Sequence, residues 1–280
     1  MIRCCLFGKN ITKSQSPNFH NSLSKQLNID LNYHLESIDS GCSTEFEQRA
    51  RQLLTSHIDS ANITYPYKET AIEVADILDL SAQRVGAANT LVSKNDKIIA
   101  YNTDYSGFIA AYKAFRVAKP GNVVLIGCGG VGKAVAKGLS DLGVKHISLY
   151  DHDLSKAKQL ADTLEHDNVS VDIPTSQEQL KVRVLDADGL VNCTPVGHYS
   201  LPGTPIPSEW INQQQWLFDA VYTPIDTEFV VAAKHKEIAT LSGFELFFNQ
   251  ATDAFELFTG LDLAADQLSQ FRKDHFSDLR

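Results

Sequence analysis

Residues 123–151, VVLIGCGGVGKAVAKGLSDLGVKHISLYD, decide the fold. Residues 123–126 form a short apolar run rich in β-branched side chains, as a buried parallel strand requires. The run passes directly into Gly127-Cys128-Gly129-Gly130-Val131-Gly132, a G-x-G-x-x-G with an extra glycine at its fourth position. Val135, Leu139 and Leu142 then recur at i, i+4 and i+7, which predicts a helix with one apolar face, ended by Gly143. His146 to Tyr150 reads as a second strand closing on Asp151. In such a unit Gly127 makes the tight turn, Gly129 lets backbone N–H groups approach a pyrophosphate, and Gly132 lets the helix pack closely on the strand. Gly130 and Val131 complete the same turn. A glycine-rich turn without a ligand is the plain alternative. Here the strand, the helix and an acidic residue nineteen positions past Gly132 all fall where a dinucleotide site needs them. A Rossmann-type domain for a nicotinamide dinucleotide is the expectation.

Asp151 would accept hydrogen bonds from the adenosine ribose hydroxyls. A 2′-phosphate would set further negative charge beside Asp151 and Asp153, with only His152 and Lys156 as nearby cation candidates. NAD is therefore favoured, with NADP as the alternative. Asp151 and Asp153 are also capping candidates for a helix starting near Ser155.

The whole chain sets bounds on this reading. Its 280 residues suit two domains, and 43% hydrophobic with 21% charged residues is a globular composition. No apolar run approaches the roughly eighteen residues of a membrane span. The start, MIRCCLFGKN, has too short an apolar part for a signal peptide and reads as a first strand over residues 2–7. Five cysteines without C-x-x-C spacing argue against a disulfide framework and a structural zinc site, and point to the cytoplasm. A net charge of −9 argues against a general nucleic-acid binder. No metal is expected, and neither a membrane nor a nucleic-acid partner. Homodimer and monomer both stay open.

Residues 1–104 alternate strand-like and helix-like patches, an α/β layer separate from the dinucleotide unit. Three polar clusters stand out. Ser14-Gln15-Ser16-Pro17 precedes a helix expected over 17–27, with Ser16 as capping hydroxyl and Pro17 at the first helical position. Capping is the first reading; the two hydroxyls, two residues apart, could also point together at a small carboxylate at the helix N-terminus. Asn62-Ile63-Thr64-Tyr65-Pro66-Tyr67-Lys68 precedes a helix expected over 67–78, which would put Lys68 in a first turn where a cation is disfavoured. Gly86-Ala87-Ala88-Asn89-Thr90 and Asn102-Thr103-Asp104 bracket a hairpin that turns at Lys94-Asn95-Asp96. Turn chemistry alone would account for Asn89 and Asp104.

Taken together, Ser14-x-Ser16-Pro17, Asn62-x-Thr64-x-Pro66-x-Lys68, Gly86-Ala87-x-Asn89-Thr90 and Asn102-Thr103-Asp104-x-x-Gly107 resemble, in order, the signatures of the shikimate dehydrogenase family. The resemblance continues through the glycine-rich turn and covers essentially the whole chain. It implies an α/β protein of two domains. The N-terminal substrate-binding domain would be residues 1–104, completed by 243–280. The inserted NAD(P)-binding Rossmann domain would be 105–242, with a substrate cleft between the lobes.

The resemblance also implies roles. Lys68 would be the acid–base group at the C3 hydroxyl of shikimate, with Asp104 hydrogen-bonding the same hydroxyl and tuning Lys68. Ser14 and Ser16 would hold the substrate carboxylate, and Asn62, Thr64 and Asn89 the ring hydroxyls. Asn192-Cys193-Thr194-Pro195-Val196-Gly197, after a strand, resembles the family's N-x-T-P-x-G segment at the nicotinamide, which puts Asn192, Thr194 and Val196 on the cofactor. His198 stands where methionine is usual. Tyr222-Thr223-Pro224-x-x-Thr227, following a strand read over 216–222, matches Y-x-P-x-x-T. Val221 would then line the nicotinamide pocket, and Tyr222 would reach the substrate. Gly243 would adjoin the cofactor, and Gln250 would bind substrate at the start of a helix over 249–259. Glu245 and Leu246 stand where a small residue and methionine are frequent.

Within the family, members that prefer NAD and accept quinate exist, and Asp151 points that way. The expected activity is NAD-favouring oxidation of shikimate or quinate. The alternatives are the NADP-dependent biosynthetic enzyme, with His152 near the 2′-phosphate, a folate-directed dehydrogenase, and a non-catalytic dinucleotide-binding regulator.

Overall fold

In a computed structural model, which describes residues 1–277, the chain divides into two units. One comprises Met1–Ser106 and the chain from Asn249 onward; the other is Gly107–Phe248. Both boundaries fall inside helices, two and six residues past the cuts read from the sequence.

The first unit runs β1 (Ile2–Gly8), α1 (Ser16–Gln26), β2 (Leu31–Ser37), α2 (Ser43–Leu54), β3 (Ser60–Ile63), α3 (Ala71–Val74), β4 (Ile77–Leu78), α4 (Leu80–Val85), β5 (Thr90–Lys94), β6 (Lys97–Tyr101) and α5 (Thr103–Phe115), the last crossing into the second unit. Its sheet order is β2-β1-β3-β5-β6-β4, with β5 antiparallel to both neighbours. Asn95 and Asp96 take φ of 53° and 58°, the two left-handed residues of a tight hairpin turn. One sheet face is filled by Phe7, Phe46, Leu54, Tyr67 and Leu91.

Three expectations change here. Gln15, not Ser16, is the N-cap of α1, and no side chain caps it; Ser16 is the first helical residue. The reason is local: the Ser16 N–H donates to Ser14 Oγ at 3.2 Å, which turns the Ser16 side chain away from capping. The helix expected over 67–78 shrinks to Ala71–Val74, and Lys68 lies in a turn. Asp76 explains the break. Its N–H donates to the Ile98 carbonyl, and its carboxylate accepts from the Ile98 N–H, which draws residues 77–78 onto β6 as a strand. Lys68 therefore escapes the unfavourable end of a helix dipole.

The second unit continues with β7 (Asn122–Ile126), α6 (Gly130–Asp141), β8 (His146–Tyr150), α7 (Leu154–Glu165), β9 (Ser170–Asp172), α8 (Gln177–Asp186), β10 (Gly189–Asn192), β11 (Trp216–Asp219), α9 (Glu228–Lys234), β12 (Ala239–Ser242) and α10 (Gly243–Thr259). Its sheet is parallel, ordered β12-β11-β10-β7-β8-β9. The order reverses between β7 and β10, the point at which open α/β sheets bind ligands beyond their strand ends. Val135 and Leu139 of α6 pack with Val123, Leu125, Ile147 and Leu149 in the core. Strand β11 ends at Asp219 rather than Tyr222, and α10 starts at Gly243 rather than Asn249. The first change follows from the Asp219 carboxylate, which accepts the Val221 N–H and turns the chain out of the sheet. The second follows from Ser242, whose hydroxyl accepts the Phe244 N–H and so starts the helix early. A final helix, α11 (Ala265–Phe276), returns to α1 in the first unit, where Phe271 meets Phe19 edge-on at 5.2 Å. No helix among the described residues is long and apolar enough to cross a membrane.

Candidate active site

The residues of the first unit meet at the ends of β3, β5 and β6. Lys68 is brought there by its turn, whose carbonyl accepts the Ala88 N–H at 2.8 Å, and Asp104 by the first turn of α5. The Lys68 ammonium donates to Asp104 Oδ2 at 2.5 Å; the two side chains are 13% and 5% exposed. A largely desolvated pair of this kind needs close geometry to hold both charges. It places an amine and a carboxylate where each can reach one small hydroxyl group.

Beside it runs a continuous polar network. Asn89 Nδ2 donates to Thr103 Oγ1 at 2.9 Å and to Gln250 Oε1 at 3.4 Å, while Asn89 Oδ1 accepts the Thr103 N–H at 2.7 Å. Asn62 Nδ2 donates to Thr90 Oγ1 at 3.0 Å, and Asn62 Oδ1 accepts from the Tyr33 hydroxyl at 2.8 Å. Ser14 Oγ donates to Ser16 Oγ at 3.2 Å, and Tyr33 also hydrogen-bonds Ser16. The structure thus joins Ser14, Ser16 and Asn62 through Tyr33, and joins Asn89 to Gln250 through direct and Thr103 contacts. Thr64 sits half-buried just past β3, its methyl crowding Gly8 so closely that a Cβ there would lie 2.4 Å away. Beneath the network His20 stacks on Tyr33 at 4.4 Å, and burial pushes its imidazole down to about 3 against a hydrogen bond with Asn62 that favours the charged form.

Sequence reading passed over Tyr33, His20 and the Thr103 side chain. Tyr33 and His20 lie in the ordinary apolar positions of a strand and a helix, and only their place beneath Asn62 marks them. Thr103 stood within a recognised motif, but nothing in the pattern tells its hydroxyl from a helix-start residue.

The second unit builds the glycine-rich turn as its spacing predicts. Gly127 takes φ +95°, and a Cβ on Gly132 would lie 1.9 Å from the Gly127 carbonyl oxygen, so only glycine fits there. A Cβ on Gly129, the N-cap of α6, would meet nothing within 4 Å: the space over the helix N-terminus is open, and no side chain caps the helix. Unsatisfied N–H groups facing open space are what a pyrophosphate requires. Asp151 follows β8 directly. Its Oδ2 accepts the Cys128 N–H at 2.7 Å and its Oδ1 the Asp153 N–H at 2.9 Å. Asp153 caps α7 by accepting from Ser155, so the two acids have different jobs. His152 is exposed. Burial first, and then Asp151, push the Cys128 thiol up to about 12, against the pull of Lys156 and Lys133.

Asn192 ends β10. Its oxygen accepts from the Thr194 N–H and hydroxyl, and its amide donates to the Val196 carbonyl at 3.0 Å, which folds the 192–197 segment back on itself. Gly243 packs against the Ala220 carbonyl oxygen, 2.4 Å from where its Cβ would stand. Tyr222 lies in this second unit, stacked on Phe247 at 5.0 Å, and burial raises its phenol. Val221 is buried beside it. His198 bonds Ser200 at 2.8 Å, and no cluster of metal-binding side chains occurs among the described residues.

A parallel sheet with a glycine-rich turn, an acid at the end of the second strand and a separate Lys–Asp pair in a polar network defines a nicotinamide-dependent oxidoreductase. The model of the shikimate dehydrogenase substrate binding domain matches residues 6–91, and that of the saccharopine dehydrogenase NADP binding domain matches 123–200. The chain is 34% identical to a shikimate dehydrogenase (NADP(+)) of Pseudarthrobacter chlorophenolicus, covering 98% of this chain and 94% of that one. It is 37% identical to a quinate/shikimate dehydrogenase (NAD(+)) of Corynebacterium glutamicum over 72% of each. A solved quinate dehydrogenase of Corynebacterium glutamicum in complex with NAD superposes with a TM-score of 0.87 at 32% identity, over 99% of both chains. The chain belongs to the shikimate dehydrogenase family.

Proposed function

We propose that this enzyme transfers hydride reversibly between the C3 hydroxyl of shikimate or quinate and a nicotinamide cofactor, with NAD preferred, and that it works in the cytoplasm. One observation carries the reading: a largely buried amine, Lys68, lies 2.5 Å from a buried carboxylate, Asp104, in a polar network suited to a small polyol. The first unit serves as substrate domain. Ser14 and Ser16 take the carboxylate, and Asn62, Thr64, Asn89 and Gln250 the ring hydroxyls; Tyr222 is a further substrate-binding residue. During oxidation Lys68 takes the hydroxyl proton as the neutral amine and becomes the ammonium; during reduction the ammonium returns that proton, while Asp104 holds the same hydroxyl.

The second unit serves as cofactor domain, the bound nicotinamide accepting or giving the hydride. Residues 127, 129, 130, 131 and 132 bind the pyrophosphate, Asp151 the ribose diol with His152 alongside, and Asn192, Thr194, Val196, Val221 and Gly243 the nicotinamide end. Both oxygens of Asp151 already accept one backbone N–H each, which fixes the carboxylate while leaving acceptor capacity for two hydroxyls. A fixed carboxylate there repels a 2′-phosphate. The cytoplasmic assignment rests on five cysteines, none of which is in a disulfide.

A second reading, NADP with shikimate, draws on Lys156 and Lys133, both near enough to act on the Cys128 thiol. Reduced-cofactor absorbance with shikimate and quinate, each paired with NAD and NADP, decides. Turnover with NAD and either polyol is expected. Turnover confined to NADP with shikimate would establish the second reading. Cofactor binding without turnover in any pairing would make the protein a dinucleotide-binding regulator.

A further inference from the structure

The segments assigned to the nicotinamide end converge on one side chain that no motif singles out. Asp219, the last residue of β11, is fully buried. Its Oδ1 accepts the Asn192 amide at 2.9 Å and the Val221 N–H at 3.0 Å, and its Oδ2 accepts the Thr227 hydroxyl at 2.6 Å. Thr227 in turn caps α9 by accepting the Val230 N–H at 3.1 Å. Gly197, at φ +106°, closes over the same place: a Cβ there would lie 3.2 Å from Thr227 and 3.8 Å from Asp219 Oδ2. One carboxylate therefore ties together the ends of β10 and β11, the loop after each, and the start of α9.

Among the described residues its charge has no charged partner. The groups acting on it are its own burial, then Thr227, Val221 and Asn192, none of them charged, and burial raises its pKa to about 6. Tyr222, three residues on, stays neutral because burial raises its phenol. A buried carboxylate without a countercharge costs stability, whereas an asparagine could keep the same shape, with Thr227 reversing its hydroxyl to accept. Geometry alone does not call for the negative charge. A ligand with a positive charge does.

We propose that Asp219 is a positioning residue of the cofactor site. It holds residues 192–197 and 221–227 in place, and its negative charge favours the oxidised, positively charged nicotinamide over the neutral reduced ring. The proposal rests on the assignment of a nicotinamide dinucleotide to the second unit. Both segments leave the carboxyl ends of parallel strands on the β10–β11 side of the switch point, with Asp151 on the β8 side. A charge acts there through protein rather than through water, so it reaches beyond direct contact.

Titration of wild type and Asp219→Asn with NAD and with NADH, by calorimetry and by protein fluorescence, tests it. In Asp219→Asn, NAD affinity should fall five- to tenfold while NADH affinity changes less than twofold. In wild type the preference for NAD over NADH should shrink as pH falls from 7.5 to 5, and in Asp219→Asn the ratio should be flat over that range. Thr227→Val, which removes a donor and keeps the charge, should weaken both cofactors alike. An unchanged NAD-to-NADH ratio in Asp219→Asn overturns the proposal. If that variant does not fold, a pH-independent ratio in wild type overturns it equally. Wild type that binds neither cofactor would instead overturn the assignment of the second unit.

Discussion

At the scale of single residues, the proposed chemistry rests on the Lys68–Asp104 pair. Lys68→Ala should lower kcat by about 10²–10⁴-fold, the usual weight of a general acid–base group, with substrate KM changed only a few-fold; steady-state rates at saturating cofactor check this. Turnover surviving the change would remove Lys68 from the mechanism. Replacing Asp151 by Ser should move the ratio of kcat/KM for NAD over NADP toward NADP by about tenfold, near 1.4 kcal/mol. His20 gives a pH signature of a different kind. Its folded imidazole protonates only near pH 3, whereas the unfolded one does so near 6.5. Stability should therefore decline as pH falls from about 6.5 toward 3, by at most about 1.4 kcal/mol per pH unit. Melting curves across that range should be flatter for His20→Gln. The placing of Lys68 beside Asp104, and of Asp151 after β8, was legible in sequence because each residue belongs to a spaced motif. Tyr33 and Asp219 were not, because their importance lies in what they bridge: segments that come together only in the fold.

Among the elements, the β7–α6 turn is the most exacting. Gly132→Ala would press a methyl group into the Gly127 carbonyl and should cost about 1–3 kcal/mol, lowering Tm by roughly 2–4 °C per kcal/mol and weakening dinucleotide binding. Differential scanning calorimetry with and without NAD separates the two effects. Gly129→Ala, whose Cβ meets no protein atom, should leave Tm nearly unchanged and act on binding alone. This unit could be read from sequence almost residue by residue, since strand, turn and helix follow local rules. The helix expected over 67–78 failed for the opposite reason. The proline before it favoured a helix start, but Asp76 bonds a strand more than twenty residues away, and a long-range pairing overrode the local pattern. The ends of β11 and α10 shifted likewise, through side-chain hydrogen bonds that hydropathy does not register.

At the scale of the molecule, the two units differ in sheet order, and the first is split in sequence whereas the second is not. Alternation of strand and helix patches revealed two layers. It did not fix the cuts, because α5 and α10 each run without interruption from one unit into the other. Removing residues 265–280 should abolish the melting of the first unit while NAD binding by the second persists, as calorimetry and cofactor fluorescence would show.

The return of α10 and α11 to the first unit also governs how the protein comes off the ribosome. Cys4, Leu6, Ile11 and Tyr33 are covered by Ala254 and Phe258, and Phe19 by Phe271 and Phe276. These partners emerge only after the whole of Gly107–Phe248, roughly 10–30 s later at ordinary elongation rates. Throughout that interval the nascent first unit carries an uncovered apolar sheet face and an incomplete helix pair. The second unit, contiguous in sequence, can close as soon as it clears the exit tunnel. Chaperone demand during synthesis therefore falls on the earliest residues made, not on the last.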